Sequence, residues 1–118
     1  MRQKQFTVTK DLTAEKMGSG GLAVLATPAV VQMVENTCFE YLQEKQLDST
    51  KTTVGVKFEL VHLKPSKIGA TITVEVDIEL SQSGKTLFLF QCYEGNVVIA
   101  KGKHQRVEVK TADFLNQL

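Results

Sequence analysis

Through the second half of the chain, apolar and polar side chains alternate almost residue by residue, the period of two that a strand with one covered face requires. Thr52 to Leu63 sets Val54, Val56, Phe58, Leu60 and His62 on one face, and Ile68 to Leu80 sets Ile72, Val74, Val76, Ile78 and Leu80 against Thr71, Thr73, Glu75, Asp77 and Glu79. Gln82-Ser83-Gly84-Lys85 and Glu94-Gly95-Asn96 carry turn residues and delimit further strands near 85–93 and 97–109. With Lys64-Pro65-Ser66-Lys67 joining the first pair, the four are expected to form an antiparallel meander.

The first half reads differently. Gln5 to Thr9 alternates as a short strand, Asp11 to Glu15 suits a helical turn, and Gly18-Ser19-Gly20-Gly21 is too rich in glycine to continue a helix. After the apolar Leu22 to Ala26, Thr27-Pro28 opens a helix, with Thr27 as N-cap and Pro28 at the first helical position, where its missing N–H costs nothing. The helix is expected to run to about Lys45, with Val30, Val31, Val34, Cys38, Tyr41 and Leu42 on one face and Gln32, Asn36, Glu40 and Gln43 on the other. The tail from Thr111 to Leu118 suits a small helix. Strand, irregular segment, long helix and four strands predict an α+β fold in which the long helix packs against one face of an antiparallel sheet.

Composition narrows the classes. With 118 residues and 42% hydrophobic content, one domain spanning 1–118 has enough core to fold without staples. Lys and Arg total 14 against 13 Asp and Glu, so no broad field draws in a polyanion and nucleic acid is excluded as a partner. No apolar run approaches the roughly 20 residues of a spanning helix, which predicts a cytoplasmic protein with no membrane partner. Cys38 and Cys92 lie in apolar patterns as reduced core residues, and neither they nor His62 and His104 have ligand spacing, so no metal site and no cofactor is expected.

Two residues break the pattern in a way that carries chemistry. Glu35 falls between Val31, Cys38 and Leu42 on the apolar side of the helix, either a perturbed functional carboxylate or one at the stripe's edge reaching solvent or a lysine. His62 continues an inward strand face, as a satisfied core histidine or a catalytic one. Packed together with the hydroxyl of Thr27, they form the minimum set for general acid–base hydrolysis of an acyl group. Thr27 is otherwise explained by capping, although an N-cap also marks the positive helix end, where an oxyanion is stabilised. Gly55 interrupts a filled strand as a bulge or a site of close approach. Lys101-Gly102-Lys103-His104-Gln105-Arg106 suits phosphate or a solvated strand face.

Gly18-Ser19-Gly20, Val24-Leu25-Ala26-Thr27-Pro28, Met33-Val34-Glu35, Thr53-Val54-Gly55, Val61-His62-Leu63-Lys64-Pro65 and Gly102-Lys103-His104-Gln105-Arg106 together resemble the hot-dog thioesterases similar to fluoroacetyl-CoA thioesterase, over nearly the full chain. The resemblance implies a hot-dog fold, an antiparallel β-sheet wrapped around one long central α-helix, with catalytic roles for Thr27, Glu35 and His62 and substrate contacts from Gly55 and Arg106. It also implies a homodimer, open to higher assembly, with sheets joined edge to edge and acyl-CoA entering between subunits. Where the fluoroacetyl-specific enzyme carries an aromatic lid, this chain has Gly18 to Leu22, so that selectivity is not implied. A non-catalytic acyl-CoA-binding or sensing module is the alternative from another class, and a hydratase or dehydratase is the alternative within enzymes.

Overall fold

The computed structural model describes all residues 1–118. Five strands, β1 (Arg2–Thr7), β2 (Lys51–His62), β3 (Thr71–Gln82), β4 (Lys85–Glu94) and β5 (Val97–Lys110), form one antiparallel sheet in the order β1-β3-β4-β5-β2. Between β1 and β2 lie a 3-10 turn (Lys10–Leu12), the short helix α1 (Ala14–Met17) and the long helix α2 (Thr27–Lys45), and a one-turn helix α3 (Thr111–Leu115) ends the chain. Helix α2 packs against one face of the sheet, as the patterning predicts, and touches both edge strands, β1 and β2, so the sheet wraps it as the resemblance implies.

Only β3, β4 and β5 form the expected meander. Instead of pairing with β3, β2 crosses to the far side of β5, and the link 63–70 spans from one side of the sheet to the other. The link's backbone bonds explain why no hairpin forms. Leu63 and Lys64 donate N–H to the Ile99 carbonyl at 2.7 and 3.2 Å, and the Ser66 carbonyl accepts from Leu25 at 2.8 Å. The β3–β4 hairpin does turn at Ser83-Gly84, both with positive φ, the geometry that matches strand twist in a two-residue loop.

On α2 the buried residues are Ala29, Val30, Met33, Val34, Thr37 and Cys38, so the covered stripe lies further towards Ala29, Met33 and Thr37 than the pattern suggested. They pack on the inward residues of the central strands, including Ile72, Val74, Val76, Phe88, Phe90 and Cys92. The polar side of the helix is tied to β1. Lys4 Nζ donates to Asn36 Oδ1 and Glu40 Oε1 at 2.6 and 2.8 Å, and Arg2 forms a two-pronged pair with Glu44. Cys38 and Cys92 are buried free thiols, each pushed up to about 12 by desolvation.

The main correction concerns β2. A bulge between Gly55 and Lys57 leaves Val56 as the extra residue, 54% exposed, and the alternation changes phase there. Thr53 and Gly55 therefore face α2 before the bulge, and Phe58, Leu60 and His62 face it afterwards, while Val54 and Val56 do not. The open edge of β2 pairs with nothing in this chain.

At the centre of the sheet, Gly102 lets β5 approach β2 closely, since a Cβ there would land on the carbonyl oxygen of Glu59 and within 3.0 Å of Phe90 Cζ. Backbone has little room to yield. Gly102→Ala is expected to cost about 3 kcal/mol, read as a lower urea midpoint with an unchanged slope.

Candidate active site

The irregular segment before α2 is held in place by backbone bonds. Ala14 N–H donates to the Val24 carbonyl at 2.8 Å, Ala26 N–H to the Leu12 carbonyl at 2.9 Å, and Val24 forms an isolated bridge with Lys67. This pinning docks the start of α2 against the end of β2. Thr27 Oγ1 lies 2.8 Å from His62 Nδ1. Thr27 is thus not the N-cap expected from the sequence: Ala26 holds that position with no side-chain cap, and the Thr27 hydroxyl is left free for the imidazole.

Burial pushes His62 below the ordinary histidine value, with the main chain at Lys64 working partly against it, so the ring is neutral near pH 7. As a neutral ring it accepts at Nδ1 when the Thr27 hydroxyl donates, the arrangement of a base beside a nucleophile. Ala29 and Val30 both donate to the Ala26 carbonyl, and Pro28 has no N–H to offer. The Thr27 amide is therefore the free donor at the positive end of the helix. A pocket of about 330 Å³ opens here, lined by Ser19, Val24, Leu25, Leu63, Lys64 and Pro65 around Thr27 and His62, with no Phe or Tyr.

Glu35 is not part of this pair. It lies eight residues along α2 from Thr27, about 12 Å of helix rise, and its carboxylate makes no ion pair within this chain. The carboxylate sits over Gly55, where a Cβ would come within 2.8 Å of Glu35 Oε2, 3.0 Å of His104 Cε1 and 3.4 Å of Arg106 Nη1. The glycine is therefore a site of close approach as well as the start of a bulge. Glu35 is half-buried at the edge of the stripe, but turned to the sheet.

Arg106 is 6% exposed, and its guanidinium is engaged: Nε donates to Thr53 Oγ1 at 3.0 Å, Nη2 to the Thr53 carbonyl at 3.0 Å and Nη1 to His104 Nε2 at 3.1 Å. Burial lowers its pKa, and the charge of Glu35 opposes that shift. The Lys101–Arg106 run is thus no continuous phosphate patch, because Lys101 and Lys103 are exposed while His104 and Arg106 are buried beneath α2. His104 and Thr53, which the sequence does not mark as site residues, join the site through Arg106. The period-two spacing of Ala100, Gly102, His104 and Arg106 was the available signal for His104.

The profile of a family described as fluoroacetyl-CoA-specific thioesterase matches residues 8–112. No curated protein matches the sequence. Among solved structures, a mutant of the fluoroacetyl-CoA-specific thioesterase in complex with fluoroacetate and CoA superposes with a TM-score of 0.93 at 18% identity, covering 99% of this chain and 95% of that one. A hot-dog-like protein from Thermanaerovibrio acidaminovorans gives 0.86 at 22% identity, over 98% and 84%. A thioesterase superfamily member from Thermus thermophilus gives 0.87 at 20% identity, over 98% and 85%. At these identities the structures establish the hot-dog fold.

Burial also lowers the pKa of His104, so both imidazoles are expected to titrate below about 6.5 by NMR. The unfolded chain then binds those protons more readily than the folded one. Their contribution to stability is complete above about pH 6.5 and is lost as pH falls towards the folded values. Urea midpoints should accordingly decrease from pH 7 to pH 5.

Proposed function

Since the chain belongs to the fluoroacetyl-CoA-specific thioesterase family and is on that ground an acyl-CoA thioester hydrolase, we propose that it acts as one domain in a homodimer and converts small or medium acyl-CoA to free acid and CoA, with Thr27, Glu35 and His62 as catalytic residues. The observation that carries the roles of Thr27 and His62 is the 2.8 Å bond between Thr27 Oγ1 and His62 Nδ1 at the mouth of a largely apolar pocket. His62 takes the hydroxyl proton as Thr27 Oγ attacks the thioester carbon, and the Thr27 amide, at the positive helix end, meets the oxyanion. The CoA sulfur leaves with the proton from His62. Water then attacks the acyl-threonine and gives one proton to Glu35, which returns it to the threonine oxygen as that oxygen leaves, so that the free acid departs and all three residues are restored.

For that second step Glu35 must meet the acyl group. Its carboxylate has no ion-pair partner within its own chain, and the long edge of β2 is open for pairing. Antiparallel pairing of two β2 edges joins the sheets, and each site then combines Thr27 and His62 of one chain with Glu35 of the partner subunit. Gly55 and Arg106 line the Glu35 side of the substrate. The pocket's lack of Phe or Tyr, and Leu22 at 69% exposed, favour an acyl group other than fluoroacetyl. No helix is long and apolar enough to cross a membrane, and a cytoplasmic location belongs to the same proposal.

Purified protein should release thiol from a panel of short, branched and aromatic acyl-CoA. Thr27→Val, Glu35→Gln and His62→Ala should each retain the fold by circular dichroism and lose on the order of 100-fold or more in kcat. Binding of acyl-CoA without thiol release across the whole panel would instead favour the sensing module.

In Gly55→Ala the nearest clash is with the flexible end of Glu35. That variant should stay folded while kcat falls about 10- to 100-fold, as steady-state kinetics would show.

A further inference from the structure

His104 is 1% exposed, yet it lies outside the proposed chemistry and has no contact with the Thr27–His62 pair. Its protonation state follows from its partners. Arg106 can only donate, so at 3.1 Å from Nη1 the Nε2 atom of His104 must accept. The proton is then on Nδ1, which donates to the Lys57 carbonyl at 2.9 Å. The ring is neutral, held in one tautomer, and packed against Phe58 with centroids 4.9 Å apart.

These bonds straddle the β2 bulge. Arg106 grips Thr53 on one side of it, His104 grips Lys57 on the other, and the Arg106–His104 bond closes the strap across Gly55 and Val56. Glu35 rests on the hollow the strap encloses, with His104 Cε1, Arg106 Nη1 and Glu35 Oε2 all within 3.4 Å of the missing Cβ. The guanidinium attracts the carboxylate without forming an ion pair with it, so the oxygens of Glu35 stay available.

We propose that His104 is a positioning residue for Glu35: as a neutral acceptor it fixes the Arg106 guanidinium and the bulge, and through them the place of the carboxylate. This rests on the catalytic role given to Glu35 above. The two partners of His104 can be removed separately. His104→Gln keeps an acceptor where Nε2 reaches Arg106, His104→Asn keeps a donor where Nδ1 reaches Lys57, and His104→Phe keeps the packing but neither bond.

The test is steady-state thiol release by the full-length protein, with each His104 variant made alone and in a Glu35→Gln background. With Glu35 intact, His104→Phe should lower kcat on the order of 10- to 100-fold with little change in KM, and His104→Gln should recover more of it than His104→Asn. With Glu35→Gln, the same changes should cause almost no further loss. Losses that multiply in the Glu35→Gln background overturn the proposal, because His104 then acts independently of Glu35. Should His104→Phe fail to fold, the Gln and Asn variants give the same comparison. A Glu35→Gln enzyme with wild-type kcat removes the role of Glu35 first, and that of His104 with it.

Discussion

One extra residue in β2 sets what faces the helix. In an uninterrupted strand the even positions from Val54 to His62 share a face, so His62 and Gly55 point in opposite directions. The bulge at Val56 changes the phase, and Gly55 and His62 both turn towards α2. Without it Glu35 meets a valine side chain instead of a hollow, or His62 faces away from Thr27. Buried side chains of β5 brace the bulge, which puts His104 and Arg106 in the core despite the cost of desolvating them.

Much of the architecture was legible in the sequence because it depends on local periods. The helix to Lys45, the strand pattern after Thr52 and the Ser83-Gly84 turn all follow from side chains near one another along the chain. Gly55 was marked as a bulge or a close approach, and it is both, but the consequence for Val54 and Val56 was not readable, since the register is set by pairing with β5. The placement of β2 beyond β5 was hidden for the same reason. It depends on bonds from the link 63–70 to Ile99 and Leu25, which are distant in sequence.

The site was legible to different depths. Glu35 and His62 stood out as polar groups on apolar faces, and the fold turns both inward. Thr27 had a sufficient explanation as a cap, and only the geometry shows its hydroxyl spent on His62 instead. Arg106 stood out for its charge, although burial turns that charge towards Thr53 and His104 and away from solvent.

A single chain therefore carries two separate polar centres, a hydroxyl–imidazole pair at the start of α2 and a carboxylate over Gly55, along a sheet edge with no partner. Joining them across two chains is the central claim, and subunit mixing tests it most directly. Glu35→Gln and His62→Ala protein, each inactive, are dissociated together and allowed to reassociate. If each site takes Glu35 from one chain and His62 from the other, half the dimers are mixed and one site in each is intact, giving about a quarter of wild-type thiol release. A mixture no more active than its two parents contradicts the claim.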